Sequence, residues 1–124
     1  MTAGELIARA DSLRPNQYAT EEKLQWLKRL DGQIRRELEE THQRPEDQAA
    51  EAEGSPYTED TVLRVGFPYD EELYTAYLFC QIDLHNGEIA KYNQSLVLLS
   101  AAWRQLADSI NREHMPKGRS GWRL

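Results

Sequence analysis

The residues this sequence lacks say as much as those it has. It carries one cysteine, Cys80, in 124 residues, so no internal disulfide can form and no cysteine-based zinc knuckle can be built. No apolar run approaches the roughly 20 residues that span a bilayer. The opening MTAGELIARAD lacks the basic and apolar blocks of a signal peptide, so the expectation is a soluble, cytoplasmic chain with no membrane partner. The phosphate loop G-x-x-x-x-G-K-[ST], the dinucleotide fingerprint G-x-G-x-x-G, the nucleophile elbow G-x-S-x-G and the zincin H-E-x-x-H are all missing. Positive charge is also in deficit: 15 Lys and Arg face 21 Asp and Glu, a net charge of -6. Affinity for a phosphate backbone comes mainly from Lys and Arg, so the surface as a whole is not that of a nucleic-acid binder.

What remains is 40% hydrophobic and 29% charged, enough for a modest core in one domain. The patterning predicts an all-α fold of about four helices over residues 1–116, with a long acidic loop between helices 2 and 3 and a basic tail at 117–124. Thr2 and Glu5 form a T-x-x-E capping box, with Leu6, Ile7, Ala10 and Leu13 following on one face and Pro15 ending the helix. Thr20 is placed to cap a second helix, with Glu21 and Glu22 at the positive end of its dipole. Leu24, Leu27, Leu30, Ile34 and Leu38 then recur at core-facing spacing as far as about His42.

Over 43–69 this periodicity vanishes. QRPEDQAAEAEGSPYTED has almost no apolar residues and reads as a flexible acidic loop, in which only Thr61 to Val65, TVLRV, has strand content suited to an edge ribbon or an arm pairing with a neighbour. Order resumes at FPYDEELYTAYLFCQIDL, where Asp70, Glu71 and Glu72 mark a helix start and Leu73, Tyr74, Tyr77, Leu78, Ile82 and Leu84 make an apolar face. Ile89, Tyr92, Leu96, Leu99, Trp103, Leu106 and Ile110 define a fourth helix that Pro116 and Gly118 close.

DLHNGEIAKYNQS, Asp83 to Ser95, is the densest polar stretch. His85 and Glu88 lie three apart with Asp83 nearby, which is ligand chemistry. The helical di-metal bundles, however, use Glu-x-x-His twice with further glutamates, and here the order is reversed and single. The stretch is better read as a polar seam in which His85-Asn86-Gly87 loosens or breaks the helix between two packed segments and Asn93, Gln94 and Ser95 bond across helices or face solvent. Cys80, beside Phe79, reads as a buried inert thiol, His42 and His114 as helix C-terminal caps, and Trp26 and Trp103 as packing residues. No catalytic, cofactor or metal site is assigned, and no enzyme activity is expected.

Two segments point to partners. The acidic loop and the tail carry opposite charge, with Trp122 set among Lys117, Arg119 and Arg123. An aromatic flanked by arginines is the composition of an interface anchor, and opposite charges at two ends of a subunit suit head-to-tail assembly. The candidate partner-binding residues are Tyr57, Val62, Leu63 and Val65 in the loop and Arg119, Trp122 and Arg123 in the tail.

Three phrases, SLRPNQYATEEKLQWLKRLDGQI, PYDEELYTAYLFCQIDLHNGEIAKYNQS and NREHMP, resemble those of small proteins from the structural gene clusters of tailed phages and prophages of Gram-positive bacteria, of the gp6-like head-tail connector or adaptor type. The resemblance covers most of the chain except the acidic loop. It implies a helical subunit that assembles with copies of itself as a ring, on its template, beneath the portal protein. Such a ring extends the DNA channel without binding DNA specifically and docks a tail or further head-completion protein. It would work at the head-tail junction of a virion after assembly in the host cytoplasm, with no cofactor and no turnover. A net negative wall suits such a channel, because it repels phosphate. A rival reading is a small cytoplasmic helical binding module or regulator that holds a partner helix on its Tyr-rich third helix.

Overall fold

A computed structural model describes residues 1–39 and 56–113 of the chain. Residues 40–55, with most of the acidic loop and His42, and residues 114–124, with His114 and the basic tail, lie outside the described residues. The architecture is all-α: α1 is Ala3–Leu13, α2 is Thr20–Ile34, α3 is Asp70–Asn86 and α4 is Ile89–Glu113. A single π-helical turn, Arg35–Glu39, carries α2 onward and keeps Leu38 in the core beside Ile34.

α3 is the centre of the molecule. Leu73, Tyr74, Ala76, Tyr77, Leu78, Cys80, Ile82 and Asp83 are all buried, and they surround the helix rather than forming one stripe. A helix that is apolar all round must be covered on every side. Here α1, α2 and α4 all pack against it. Leu6, Ile7 and Ala10 of α1 and Trp26, Leu27, Leu30 and Ile34 of α2 close the core from one side, and Ala102 and Leu106 of α4 from the other. Each fully buried leucine or isoleucine contributes about 1.5–3 kcal/mol relative to exposure. Two expected core residues are excluded by position: Leu13, in the last turn of α1, is 55% exposed, and Leu84, near the end of α3, is 47% exposed.

The helix ends show how local chemistry sets the boundaries. The Thr2–Glu5 capping box forms in both directions. Pro15 bars Arg14 from helical angles, and Arg14 is extended at φ -140, ψ 88. Thr20 does not cap α2 as expected: Ala19 holds that position without a side-chain bond, and its carbonyl accepts from the amides of Glu22 and Lys23. At the other end of the bundle Gly87 takes φ 75, a left-handed angle that a side chain would resist. The Glu88 amide then reaches the Asp83 carbonyl at 3.0 Å and the Gly87 amide the Leu84 carbonyl at 3.1 Å, the paired bonds of a Schellman turn. The helix does break at Gly87, and the chain reverses into α4.

The expected strand at 61–65 is corrected by the structure. No strand occurs among the described residues, and Thr61 to Val65 form an extended strap with one bridge, Thr2 to Val62. Helix starts leave amides without partners, and the strap supplies them: the Ala3 amide donates to the Thr61 carbonyl at 2.8 Å and the Gly4 amide to the Glu59 carbonyl at 2.9 Å. The Leu63 amide donates to the Met1 carbonyl at 3.0 Å. The arm therefore pairs with its own N-terminus, and the portion of the expected flexible loop from 56 to 69 is held in place. A Cβ on Gly4 would meet Glu59 at 3.0 Å, so that glycine is what lets the strap approach.

Replacing Gly87 by Ala is expected to cost about 1 kcal/mol of stability in urea unfolding through the strain of the left-handed angle. Gly4→Ala should instead show its effect as faster amide exchange at Ala3 and Leu63. An unchanged midpoint for the first variant, or unchanged exchange for the second, would contradict these assignments.

Candidate functional site

The DLHNGEIAKYNQS stretch builds a seam. Asp83 is fully buried, and its Oδ2 accepts from Arg14 Nη1 at 2.6 Å and from Ser95 Oγ at 2.9 Å, tying the α1–α2 turn and α4 to α3. The Arg14 guanidinium also stacks over Phe79, 4.2 Å from the ring centre. His85 lies two residues on, about 200° round the helix, and packs on the outside against Trp26 and Tyr18 at 5.1 and 5.9 Å. Its Nδ1 is 2.8 Å from the Gln81 carbonyl. Glu88 is half-exposed and pairs with Lys91 at 3.6 Å. Asp83, His85 and Glu88 therefore face different surroundings, and among the described residues no group of three or more His, Cys, Asp or Glu side chains is placed to hold a metal ion. Ser95 is the interhelical bonder, while Asn93 and Gln94 face solvent.

A second buried carboxylate anchors the strap. Asp31 of α2 accepts from Tyr74 Oη at 2.5 Å and from Tyr57 Oη at 2.9 Å, and Tyr74 Oη in turn accepts from the Val65 amide at 3.0 Å. Burial pushes the Asp31 carboxyl above its usual range, against the pull of both phenols and of Arg64. Burial and the adjacent carboxylate push both phenols upward as well, so the tyrosines stay protonated donors. Cys80 is buried, and its thiol is pushed up to about 11, first by burial and then by Asp83. That suppresses the thiolate a nucleophile needs.

The structure thus gives the strap residues expected to touch partners a different use. Leu63 and Val65 are 4% and 7% exposed in the core, and Tyr57 is committed to Asp31. Alternation along an extended chain turns 63 and 65 inward and 62 outward; Val62, 70% exposed, is the strap residue left on the surface. Arg119, Trp122 and Arg123 lie outside the described residues.

The most unusual surface lies on α4. Leu96, Val97 and Leu98 are 39%, 68% and 61% exposed, with Ile89 at 61% on the first turn. Successive helical residues point 100° apart, so LVLL at 96–99 is apolar in every direction, and only Leu99 packs partly against the core. The fourth-helix periodicity predicted from the sequence treats Ile89 and Leu96 as core. Leu99, Trp103, Leu106 and Ile110 of that stripe do meet the core, together with Ala102, but on the first turns the inward residue is Ser95, bonded to Asp83, and Ile89 and Leu96 stay on the surface. The uninterrupted quartet itself was the available sequence signal for an exposed belt.

Two hollows flank α4. One, of about 510 Å³, lies between it and the end of α2, lined by Leu30, Tyr77, Leu99, Trp103 and Ala107. The other, of about 540 Å³, lies at the start of α3. No family model, curated protein or solved structure matches this chain.

Arg14→Met strands the Asp83 charge in the core and is expected to lower stability by about 3 kcal/mol. Most of this should return when Asp83→Asn is added, as a double-mutant cycle in urea would show. For Asp31 the sign follows from its raised carboxyl: the ionised form is disfavoured by folding, so its destabilising effect grows as pH rises from about 4 through the folded-state value. The stability of the native protein relative to Asp31→Asn should therefore fall over that interval and level off above it. A difference that rises with pH instead would contradict the burial of this group.

Proposed function

We propose that this chain is a structural subunit of virion assembly, a head-tail connector of the tailed-phage type that stacks with copies of itself beneath a portal and passes DNA to the tail. The observation that carries the reading is the belt at Leu96, Val97 and Leu98. A lone monomer has no use for consecutive apolar residues pointing outward on every side of a helix, whereas a helix packed between subunits does. The occupant proposed for the belt is a second copy of the chain, with the portal and a tail or head-completion protein contacting the ring's ends. The resemblance of the three sequence phrases supports the same reading, and the net charge of -6 suits a channel wall that does not retain DNA. The roles of the two buried carboxylates as anchors, with tyrosine and arginine partners, fit a scaffold with no turnover. The regulator reading is less well supported, since Tyr74 is fully buried and α2 and α4 already cover most of α3, leaving of its tyrosine face only the edge of Tyr77 that lines the hollow beside α2.

The test is co-sedimentation of the full-length chain with the portal protein encoded in its own gene cluster. The native chain is expected to co-sediment as an oligomer, and Val97→Glu with Leu98→Lys to remain in the supernatant. Thermal unfolding of that variant should be nearly unchanged, because both positions are exposed. Equal co-sedimentation of the two proteins would overturn the role of the belt, and absence of the native chain from the portal pellet would overturn the connector assignment.

A further inference from the structure

The hollow at the start of α3 joins an apolar wall to an acidic rim. Leu13, Pro68, Tyr69, Glu71, Glu72 and Thr75 line it, with Gln105 of α4 on its far side. Its wall is apolar at Leu13, which is 55% exposed, and Phe67, next to Pro68 in the chain, is 92% exposed. Its rim is acidic. Glu71 is paired with Arg9 at 2.6 Å, while Glu72 stands exposed with no ion pair among the described residues. An occupant of this hollow therefore needs an apolar or aromatic group and positive charge.

The C-terminal segment of this chain has that composition. Residues 117–124, KGRSGWRL, carry Trp122 among Lys117, Arg119 and Arg123. We infer that this segment, supplied by a neighbouring copy, is the occupant of the hollow, with Trp122 against Leu13 and Pro68 and an arginine on Glu72. The tether can leave its own subunit: Trp122 is nine residues beyond Glu113, about 30 Å of extended chain. The inference rests on the assembly reading and specifies one of its contacts: a head-to-tail contact between the tail of one subunit and the acidic hollow of the next, distinct from the α4 belt.

The experiment titrates a fluorescein-labelled peptide of residues 115–124 into the full-length chain carrying Trp122→Ala, whose own tail then competes weakly, and reads anisotropy. Saturable binding is expected. It should weaken about threefold to fivefold with Glu72→Lys in the receptor, the size of one surface ion pair, and recover with Arg119→Glu and Arg123→Glu in the peptide. It should weaken at least about tenfold when Trp122 of the peptide is replaced by Ala. At low receptor concentration the native chain should bind the peptide as tightly as the Trp122→Ala chain, because its hollow is empty until a neighbour arrives. No saturable binding, binding indifferent to Glu72→Lys, or native binding much weaker at every receptor concentration, which would put the chain's own tail in the hollow, would overturn the inference. Peptide binding is read without the belt, so it can fail while portal co-sedimentation succeeds, and the reverse.

Discussion

The burial of α3 on every side is the constraint from which the rest of the molecule follows. Because Leu73, Ala76, Leu78, Cys80, Ile82 and Asp83 point round the helix, α1 and α2 must close one side and α4 the other, and each covering helix needs only one apolar stripe to do so. α1 and α2 spend their apolar residues on that task, Leu13 at the end of α1 excepted. α4 does not: after Leu99, Ala102 and Leu106 have met α3, Leu96, Val97 and Leu98 are left over. The surplus on one covering helix, set against the economy of the other two, is what directs attention to assembly.

Two buried carboxylates then decide how the cover is oriented. Asp83 ties Arg14 and Ser95 together at the α3–α4 end, fixing the rotation of α4 and hence which of its residues face outward. Asp31 gathers Tyr57 and Tyr74 and, through Tyr74, the Val65 amide, fixing the strap against α2 and α3. Replacing either group by a well-packed apolar residue could be neutral for stability, so their value lies in specifying one arrangement. Each holds in register segments that are far apart in the sequence.

Much of the fold could be read in advance because it depends on local chemistry. The Thr2–Glu5 box, the Pro15 stop, the α2 stripe through Ile34 and Leu38, the acidic first turn of α3 and the break at Gly87 all follow from a few neighbouring residues. What was hidden depends on pairs distant in sequence. Nothing near Asp31 announces that Tyr57 and Tyr74 will find it, so the strap read as an edge ribbon or an arm pairing with a neighbour and Leu63 and Val65 as contact residues, when its carbonyls serve the first amides of α1. The α4 stripe was legible in its second half, where Leu99, Trp103, Leu106 and Ile110 do meet the core, but not in its first, where Ser95 rather than Leu96 turns inward to bond Asp83. The belt was visible as LVLL, but a core reading explained two of its leucines equally well.

The central claim is that the outer face of α4 is covered by another subunit when the protein does its work. A single thiol introduced as Val97→Cys would test it most directly, because the native Cys80 is buried with its thiol pushed up to about 11 and stays silent to maleimide. The account predicts rapid labelling of the introduced thiol in dilute solution and strong protection once the chain is assembled on its portal. Labelling at the same rate in both states would contradict it.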